Sequence, residues 1–164
     1  MKKKYNFQEK EKSNMSPNKI KRLQVAVITV LVLLVIQYEF GMAVNLSNLP
    51  SLSPFGFSFP NIVGAINQAG FVTVIHAALG TILTILALIT LVLALTSKIR
   101  SVQVFGVLGF LSMALAEITG VLFVLSGFQD NNYSHGMATN FILAFGFYFI
   151  ELYFLKPTSK IKAG

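Results

Sequence analysis

The stretch GFVTVIHAALGTILTILALITLVLAL, residues 70–95, is an unbroken apolar run with one histidine and no charged side chain. A helix needs about 20 such residues to cross the hydrocarbon core of a bilayer. Working outward from this run, three more segments of the same kind are found, which gives spans at roughly 23–44, 69–97, 102–127 and 133–155. The sequence therefore predicts an all-α fold, an integral membrane four-helix bundle with up-down-up-down topology.

The composition is typical of a membrane protein and excludes several kinds of functional site. Of the 164 residues, 54% are hydrophobic and 12% are charged, and the mean hydropathy is +0.70. A soluble domain has about 25% charged residues. Cysteine is absent, so disulfides, thiolate nucleophiles, iron–sulfur clusters and cysteine metal sites are excluded.

The basic residues are segregated along the chain. They occur before the first span, between the second and third spans and after the fourth, whereas the loops at 45–68 and 128–132 contain none. Lys and Arg are enriched on the cytoplasmic side of membrane proteins. We therefore expect a multi-pass protein of the plasma membrane with both termini cytoplasmic: a basic segment at 1–22, the bundle at 23–155 and a basic tail at 156–164. Nucleic-acid-binding proteins also carry basic tails, but an anionic lipid surface explains this one more simply.

The loop between the first and second spans, SNLPSLSPFGFSFPNIVGAINQ at 47–68, is uncharged and rich in Pro, Ser and Phe. Its three prolines, Pro50, Pro54 and Pro60, argue against a regular helix there. Its phenylalanines predict that the loop packs on the mouth of the bundle or lies in the membrane interface.

The two histidines of the chain, His76 and His135, are the candidate ligands of a cofactor. His76 lies early in the second span and His135 begins the fourth, so both are expected in the outer half of diagonal helices that share one interior. Thr73 and Gly80 stand at helical spacing from His76, and Thr139 follows His135 by one turn. Gly80 is expected to leave space for a flat macrocycle. Because two neutral imidazoles can occupy both axial positions of a heme iron, these five residues are predicted to bind heme b for electron transfer.

Other roles are open for the polar residues of the spans. A histidine in a membrane helix can also hydrogen-bond a neighbouring helix, and His135 can meet water at the interface. Zinc or copper is less favoured, because cysteine is absent and carboxylates are few. Glu117, near the middle of the third span, is a candidate proton carrier, a partner for His76, or a neutral carboxylic acid that links helices. Glu39 and Glu151 are expected near opposite membrane faces, where water reaches them.

The segment AEITGVLFVLSGFQDNNYSHGMATNFILAF, residues 116–145, resembles the heme A synthase family. Together with a histidine early in the second span, it is similar to one four-helix half of such an enzyme. The resemblance implies a porphyrin near the outer face, with His76 and His135 as axial ligands. Thr73 and Ala77 stand where the family has a glutamate and an arginine, and the outer-loop cysteines of many members are missing. The resemblance therefore favours heme binding over the oxidation of heme O to heme A.

These observations give one leading function and two alternatives. The leading function is a membrane heme b protein that transfers electrons or handles heme. Its candidate partners are a redox protein, a respiratory complex or a second copy of the chain, and no nucleic acid is expected. The first alternative is a cofactor-free accessory or structural subunit of a larger membrane complex, and the second is an enzyme that converts heme O to heme A. The sequence does not decide whether the chain is an enzyme.

Overall fold

The computed structural model describes residues 16–156, and this part of the chain is all-helical, with no strand. It has five helices: α1 (Pro17–Leu46), α2 (Phe59–Gln68), α3 (Phe71–Leu95), α4 (Arg100–Leu125) and α5 (Asn131–Leu155). All except α2 are long and apolar enough to cross a membrane. The four predicted apolar spans are confirmed as four long helices, the form in which an apolar segment satisfies all of its backbone hydrogen bonds in lipid.

Helix α1 begins earlier than the sequence predicted. It starts at Pro17, in the first turn, where the missing N–H group of proline costs no helical hydrogen bond. Three basic residues of the predicted N-terminal segment therefore belong to the helix: Lys19, Lys21 and Arg22. The rest of that segment, residues 1–15, lies outside the described residues, and so do residues 157–164 of the predicted tail.

The expectation that the loop at 47–68 contains no regular helix is wrong. Helix α2 lies within it, and Pro60 occupies the first turn of α2, where proline is tolerated. The other two prolines, Pro50 and Pro54, lie in the irregular stretch before the helix. The prolines thus precede or start α2 and do not interrupt it.

The four long helices pack in a ring in the order α1, α3, α4, α5. Each contacts its two neighbours in the ring, and the most extensive contact is between α4 and α5. Among residues 16–156, α3 makes no contact with α5, so the second and fourth spans are diagonal. Side chains from all four helices form the core, among them Leu34, Leu83, Met113 and Tyr148.

Helix α2 and the segment before it cover one end of the ring, which we call the capped end. Ala65 of α2 packs with Phe123 and Phe128. The N–H group of Leu52 donates to the carbonyl oxygen of Gly127 at 3.2 Å. Gly127 has a φ of +70°, and a side chain there would collide with the carbonyl oxygen of Leu52. Glycine is therefore required where this segment joins the end of α4.

The opposite end, which we call the terminal end, contains the start of α1, the turn between α3 and α4 and the end of α5. Gln24 of α1 donates from Nε2 to the carbonyl oxygen of Leu155 on α5 at 2.9 Å. Leu23, Ile99 and Leu155 belong to the main core at this end. The core thus continues to the last turn of the long helices.

The outward surface of the ring is apolar. Large hydrophobic side chains are more than half exposed on each long helix, for example Val32, Ile85, Ile118 and Phe149. Soluble monomers rarely expose contiguous apolar surface on this scale. The surface is consistent with a protein whose long helices are covered by lipid.

Candidate functional site

A cavity of about 190 Å³ lies in the capped half of the ring. All four long helices contribute to its wall, and Ile62 and Ile66 of α2 form part of it. Most of the lining is apolar, but its polar side chains include three from three different helices: Gln37 of α1, His76 of α3 and Glu117 of α4. An apolar cavity with a few convergent polar groups is the usual form of a small-molecule site.

Gln37 links α1 to α3 at the cavity. Its side-chain Nε2 donates to the main-chain oxygen of His76 at 3.0 Å. Its Oε1 is buried and has no hydrogen-bond partner. Because an amide buried in an apolar surrounding is costly unless it is hydrogen-bonded, the fold satisfies one half of this amide and leaves the other half available to a ligand.

The His76 imidazole lies against Gly41 of α1. A Cβ atom at position 41 would stand 3.1 Å from the imidazole Cε1, so a side chain there would press on the ring. The Nδ1 atom is buried without a hydrogen-bond partner. A neutral imidazole has one donor nitrogen and one acceptor nitrogen, so Nδ1 can bind a ligand in either role, or coordinate a metal.

Glu117 lies over Gly80 of α3. A Cβ atom at position 80 would stand 3.1 Å from Oε2 of Glu117 and 3.3 Å from Nε2 of Gln37. The absent side chain of Gly80 therefore makes room for polar side chains of the two neighbouring helices. The sequence suggested that this space accommodates a macrocycle, but here the protein fills it.

Helix α5 closes the fourth side of the cavity with Ser134, Met137, Ala138 and Phe141. The Met137 sulfur lies against Gly120 of α4, where a Cβ atom would stand 3.3 Å from it. Methionine is unbranched and polarizable, so it adapts to the shape of a bound molecule. This wall is mostly apolar and deformable, in contrast to the polar side formed by α1, α3 and α4.

The structure brings most of the predicted site residues together. Thr73, His76, Gly80 and Glu117 all line the cavity. The Thr73 hydroxyl donates to the main-chain oxygen of Ala69, just before α3, at 3.2 Å. Thr73 is therefore a wall residue whose donor is already used, whereas the Nδ1 atom of His76 has no hydrogen-bond partner.

His135 and Thr139 do not line the cavity. Both are exposed, and the Thr139 hydroxyl donates to the main-chain oxygen of His135 at 3.0 Å. Ile142, on the same side of α5, is 65% exposed. Successive residues of a helix are about 100° apart, so His135 turns to the outer surface although the preceding Ser134 lines the cavity. The two histidines lie on diagonal helices, but only His76 faces the shared interior.

Of the two histidines predicted as axial ligands of a heme, only His76 lines the cavity, whose volume is about 190 Å³. Within the described residues, no three His, Asp or Glu side chains come together as a metal site. The polar groups that line the cavity include one imidazole, from His76, and one carboxyl group, from Glu117.

Sequence reasoning missed three polar residues of the interior: Gln37, Tyr148 and Glu151. The signal for Gln37 was its position inside the apolar run of the first span. Glu151 was expected near water, but it is fully buried, with both carboxyl oxygens lacking hydrogen-bond partners. The Tyr148 hydroxyl, one turn earlier on α5, is also buried and unpartnered. Neither residue lines the cavity, so they form a separate feature.

Comparison of the chain with protein-family models, with curated proteins and with solved structures finds no match. The resemblance to heme A synthases therefore stays a prediction, and the function rests on the geometry of the cavity.

Proposed function

We propose that this chain is a multi-pass protein of the plasma membrane that binds a small amphipathic molecule in the capped-end cavity. The four long helices then cross the bilayer in up-down-up-down order. Both termini and the turn between α3 and α4 are placed in the cytoplasm, because the basic residues cluster on that side. With this orientation the cavity lies in the outer half of the membrane.

The observation that carries the proposal is the placement of Gln37, His76 and Glu117, from three helices, in the wall of one mostly apolar cavity. The Oε1 atom of Gln37 and the Nδ1 atom of His76 are buried without partners. Leaving one polar group unpaired in an apolar surrounding costs about 2–7 kcal/mol. A bound molecule that hydrogen-bonds these atoms offsets that cost, which explains why three helices direct polar groups to one place.

The lining also defines the class of ligand. The imidazole and the carboxyl group offer both donors and acceptors, so the molecule needs a compact polar head with complementary groups. The remaining wall, which includes Ile66, Met113 and Phe141, provides apolar contacts. A lipid-soluble molecule with one carbonyl or hydroxyl head group and an apolar body meets both requirements.

Heme is the second candidate, and the unpartnered Nδ1 of His76 is the observation that favours it. The predicted pair of axial ligands also needs His135. A rotation of α5 by about 100°, the angle between successive helical residues, would bring His135 to the direction that Ser134 now faces. Such a heme supplies one-electron transfer, with a redox protein, a respiratory complex or a second copy of the chain as partner, or is itself handled by the protein.

The experiment uses the full-length protein, purified in a mild detergent from cells grown with ample heme. Mass spectrometry of an organic extract identifies a co-purified molecule, and oxidised and reduced absorption spectra report heme. We expect the amount of co-purified molecule to fall about tenfold or more in His76→Ala and Glu117→Gln, which corresponds to at least about 1.4 kcal/mol of lost binding. His135→Ala is the matched control and is expected to keep the molecule.

The outcomes separate the candidates. Low-spin heme bands that disappear in both His76→Ala and His135→Ala would establish the heme site in place of the amphipathic ligand. Wild-type protein with neither a co-purified molecule nor heme bands would contradict both candidates and favour an accessory subunit. Formation of a hydroxylated or formyl porphyrin from supplied heme O would establish an enzyme.

A further inference from the structure

The terminal half of the ring contains a second polar feature, centred on Glu151 of α5. Glu151 is 0% exposed, and neither of its carboxyl oxygens has a hydrogen-bond partner. Tyr148 is also 0% exposed, and its hydroxyl has no partner. Because residues three apart on a helix lie on the same face, the phenol and the carboxyl group are neighbours.

Two glycines of α4 make room for this pair. A Cβ atom at Gly109 would stand 2.9 Å from Cζ of the Tyr148 ring. A Cβ atom at Gly106 would stand 3.5 Å from Oε1 of Glu151 and 2.7 Å from the Cβ of Ala94 on α3. The closest helix pair of the ring is therefore built around two buried polar side chains, although apolar ones would be cheaper to bury.

We propose that Glu151 is a proton-exchange site in the terminal half of the bundle, with the Tyr148 hydroxyl as the hydrogen-bond donor to its ionised form. The site does not depend on the capped-end cavity or on what that cavity binds. The proton leaves and returns to the carboxyl oxygen, and no other bond changes.

The surroundings of Glu151 select a proton over a metal cation. Hard cations such as Mg²⁺ and Ca²⁺ take six or more oxygen ligands, whereas the neighbours given by α3 and α4 are Ala94 and Gly106. The basic side chains of the described terminal end are exposed to the outside of the ring: Lys19, Lys21, Arg22, Lys98, Arg100 and Lys156. Tyr148 is thus the titratable neighbour of the carboxyl group within the core.

The position of Glu151 gives a short route to water. Helix α5 ends at Leu155, one turn later, so at a rise of about 1.5 Å per residue the carboxyl-bearing turn lies roughly 6 Å from the helix end. The proposed exchange therefore requires opening of only this last turn, where Gln24 of α1 donates to the carbonyl oxygen of Leu155. With the proposed orientation, the proton exchanges with the cytoplasmic side.

Infrared spectroscopy of the full-length protein in detergent tests the proposal. A protonated carboxylic acid has a C=O stretching band that shifts when its proton is replaced by deuterium. We expect Glu151→Gln to remove one such band, and the band in the wild type to shift soon after transfer to D₂O. Glu39→Gln, which changes an exposed carboxylate, is the matched control and should leave the band in place. Tyr148→Phe should slow the exchange by about tenfold, because the ionised carboxyl group loses its hydrogen-bond donor.

Three results would overturn the proposal. No band lost in Glu151→Gln would mean that the carboxyl group is ionised in the wild type. A band that stays unshifted after overnight exposure to D₂O would make Glu151 a static neutral acid. Should Glu151→Gln not fold, dicyclohexylcarbodiimide supplies the readout on the wild type: it adds to a protonated carboxyl group in an apolar surrounding, and all atoms of both stay in the product. Mass spectrometry should find the adduct on Glu151 and not on Glu39, and its absence from Glu151 would also overturn the proposal.

Discussion

Gln37 on α1 donates a hydrogen bond from its side-chain amide to the main-chain oxygen of His76 on α3, over 3.0 Å. This bond fixes the backbone of α3 at the histidine while the imidazole itself stays without a partner at Nδ1. The same amide nitrogen lies close to Gly80, where Glu117 also reaches α3. One glutamine thus links α1 to α3 beside the place where Glu117 of α4 packs on Gly80.

With the proposed ligand bound and Oε1 paired, Gln37→Leu should destabilise the protein by about 1 kcal/mol, because a cross-helix hydrogen bond in an apolar surrounding is lost. The measurement is thermal unfolding in detergent, followed by the helical circular dichroism signal. Gln103→Leu is the matched control: Gln103 also donates to a main-chain oxygen at 3.0 Å, that of Leu95, but at an exposed position. We expect it to change stability by less than about 0.5 kcal/mol. An equal loss of stability in the two variants would show that the hydrogen bond of Gln37 contributes no more than an exposed one.

Gly41→Ala should weaken ligand binding more than it weakens the fold. The added Cβ would stand 3.1 Å from Cε1 of His76, so the ring has to shift within the cavity. We expect this shift of the imidazole to lower the affinity for the ligand about tenfold, which corresponds to a loss of about 1.4 kcal/mol of binding free energy. The amount of the molecule that co-purifies with each variant measures this effect, and Gly64→Ala on α2, where a Cβ meets nothing within 4 Å, is the control. Undiminished co-purification with Gly41→Ala would place the ligand away from His76.

The sequence predicted the four long helices because each is one unbroken apolar segment of sufficient length. The prediction of no helix at α2 was wrong, because the number of prolines does not reveal their positions. Pro60 stands in the first turn, where its missing N–H group costs no helical hydrogen bond. The predicted start of the first helix was also too late. Helix α1 begins at Pro17 and includes residues that composition alone assigned to the basic segment at 1–22.

The candidate site was predicted in part, and the missing part has a physical cause. In a soluble helix the apolar stripe tells which face is buried, but a membrane helix is apolar on every face. Nothing in the periodicity of the fourth span therefore distinguishes the face of His135 from that of Ser134, one residue away. The orientation of α5 is fixed by packing: Gly109 accommodates the Tyr148 ring against α4. The same packing buries Glu151, whose place near the end of a span suggested contact with water.

Gly109→Ala should destabilise the bundle, whereas Gly146→Ala should not. The added Cβ at position 109 would stand 2.9 Å from the Tyr148 ring, while a Cβ at position 146 meets nothing within 4 Å. Overpacking a core costs about 1–3 kcal/mol, and a Gly→Ala change in a helix whose new Cβ meets no neighbour is neutral or stabilising by up to about 1 kcal/mol. Thermal unfolding of the two variants side by side measures the difference. Equal stability would mean that α4 and α5 can separate at no cost, contrary to their close packing.

The orientation in the membrane can be tested with single cysteines, because the chain contains none. Ser51 lies at the capped end and Lys98 in the turn between α3 and α4, and both side chains are exposed. If basic residues set the orientation, a membrane-impermeant maleimide added to intact cells should label Ser51→Cys. It should label Lys98→Cys only after the cells are permeabilised, and the cysteine-free parent protein reports background labelling. The reverse pattern would put the termini outside and the cavity in the inner half of the membrane. The three polar residues would still meet in the cavity, but their ligand would then enter from the cytoplasmic leaflet.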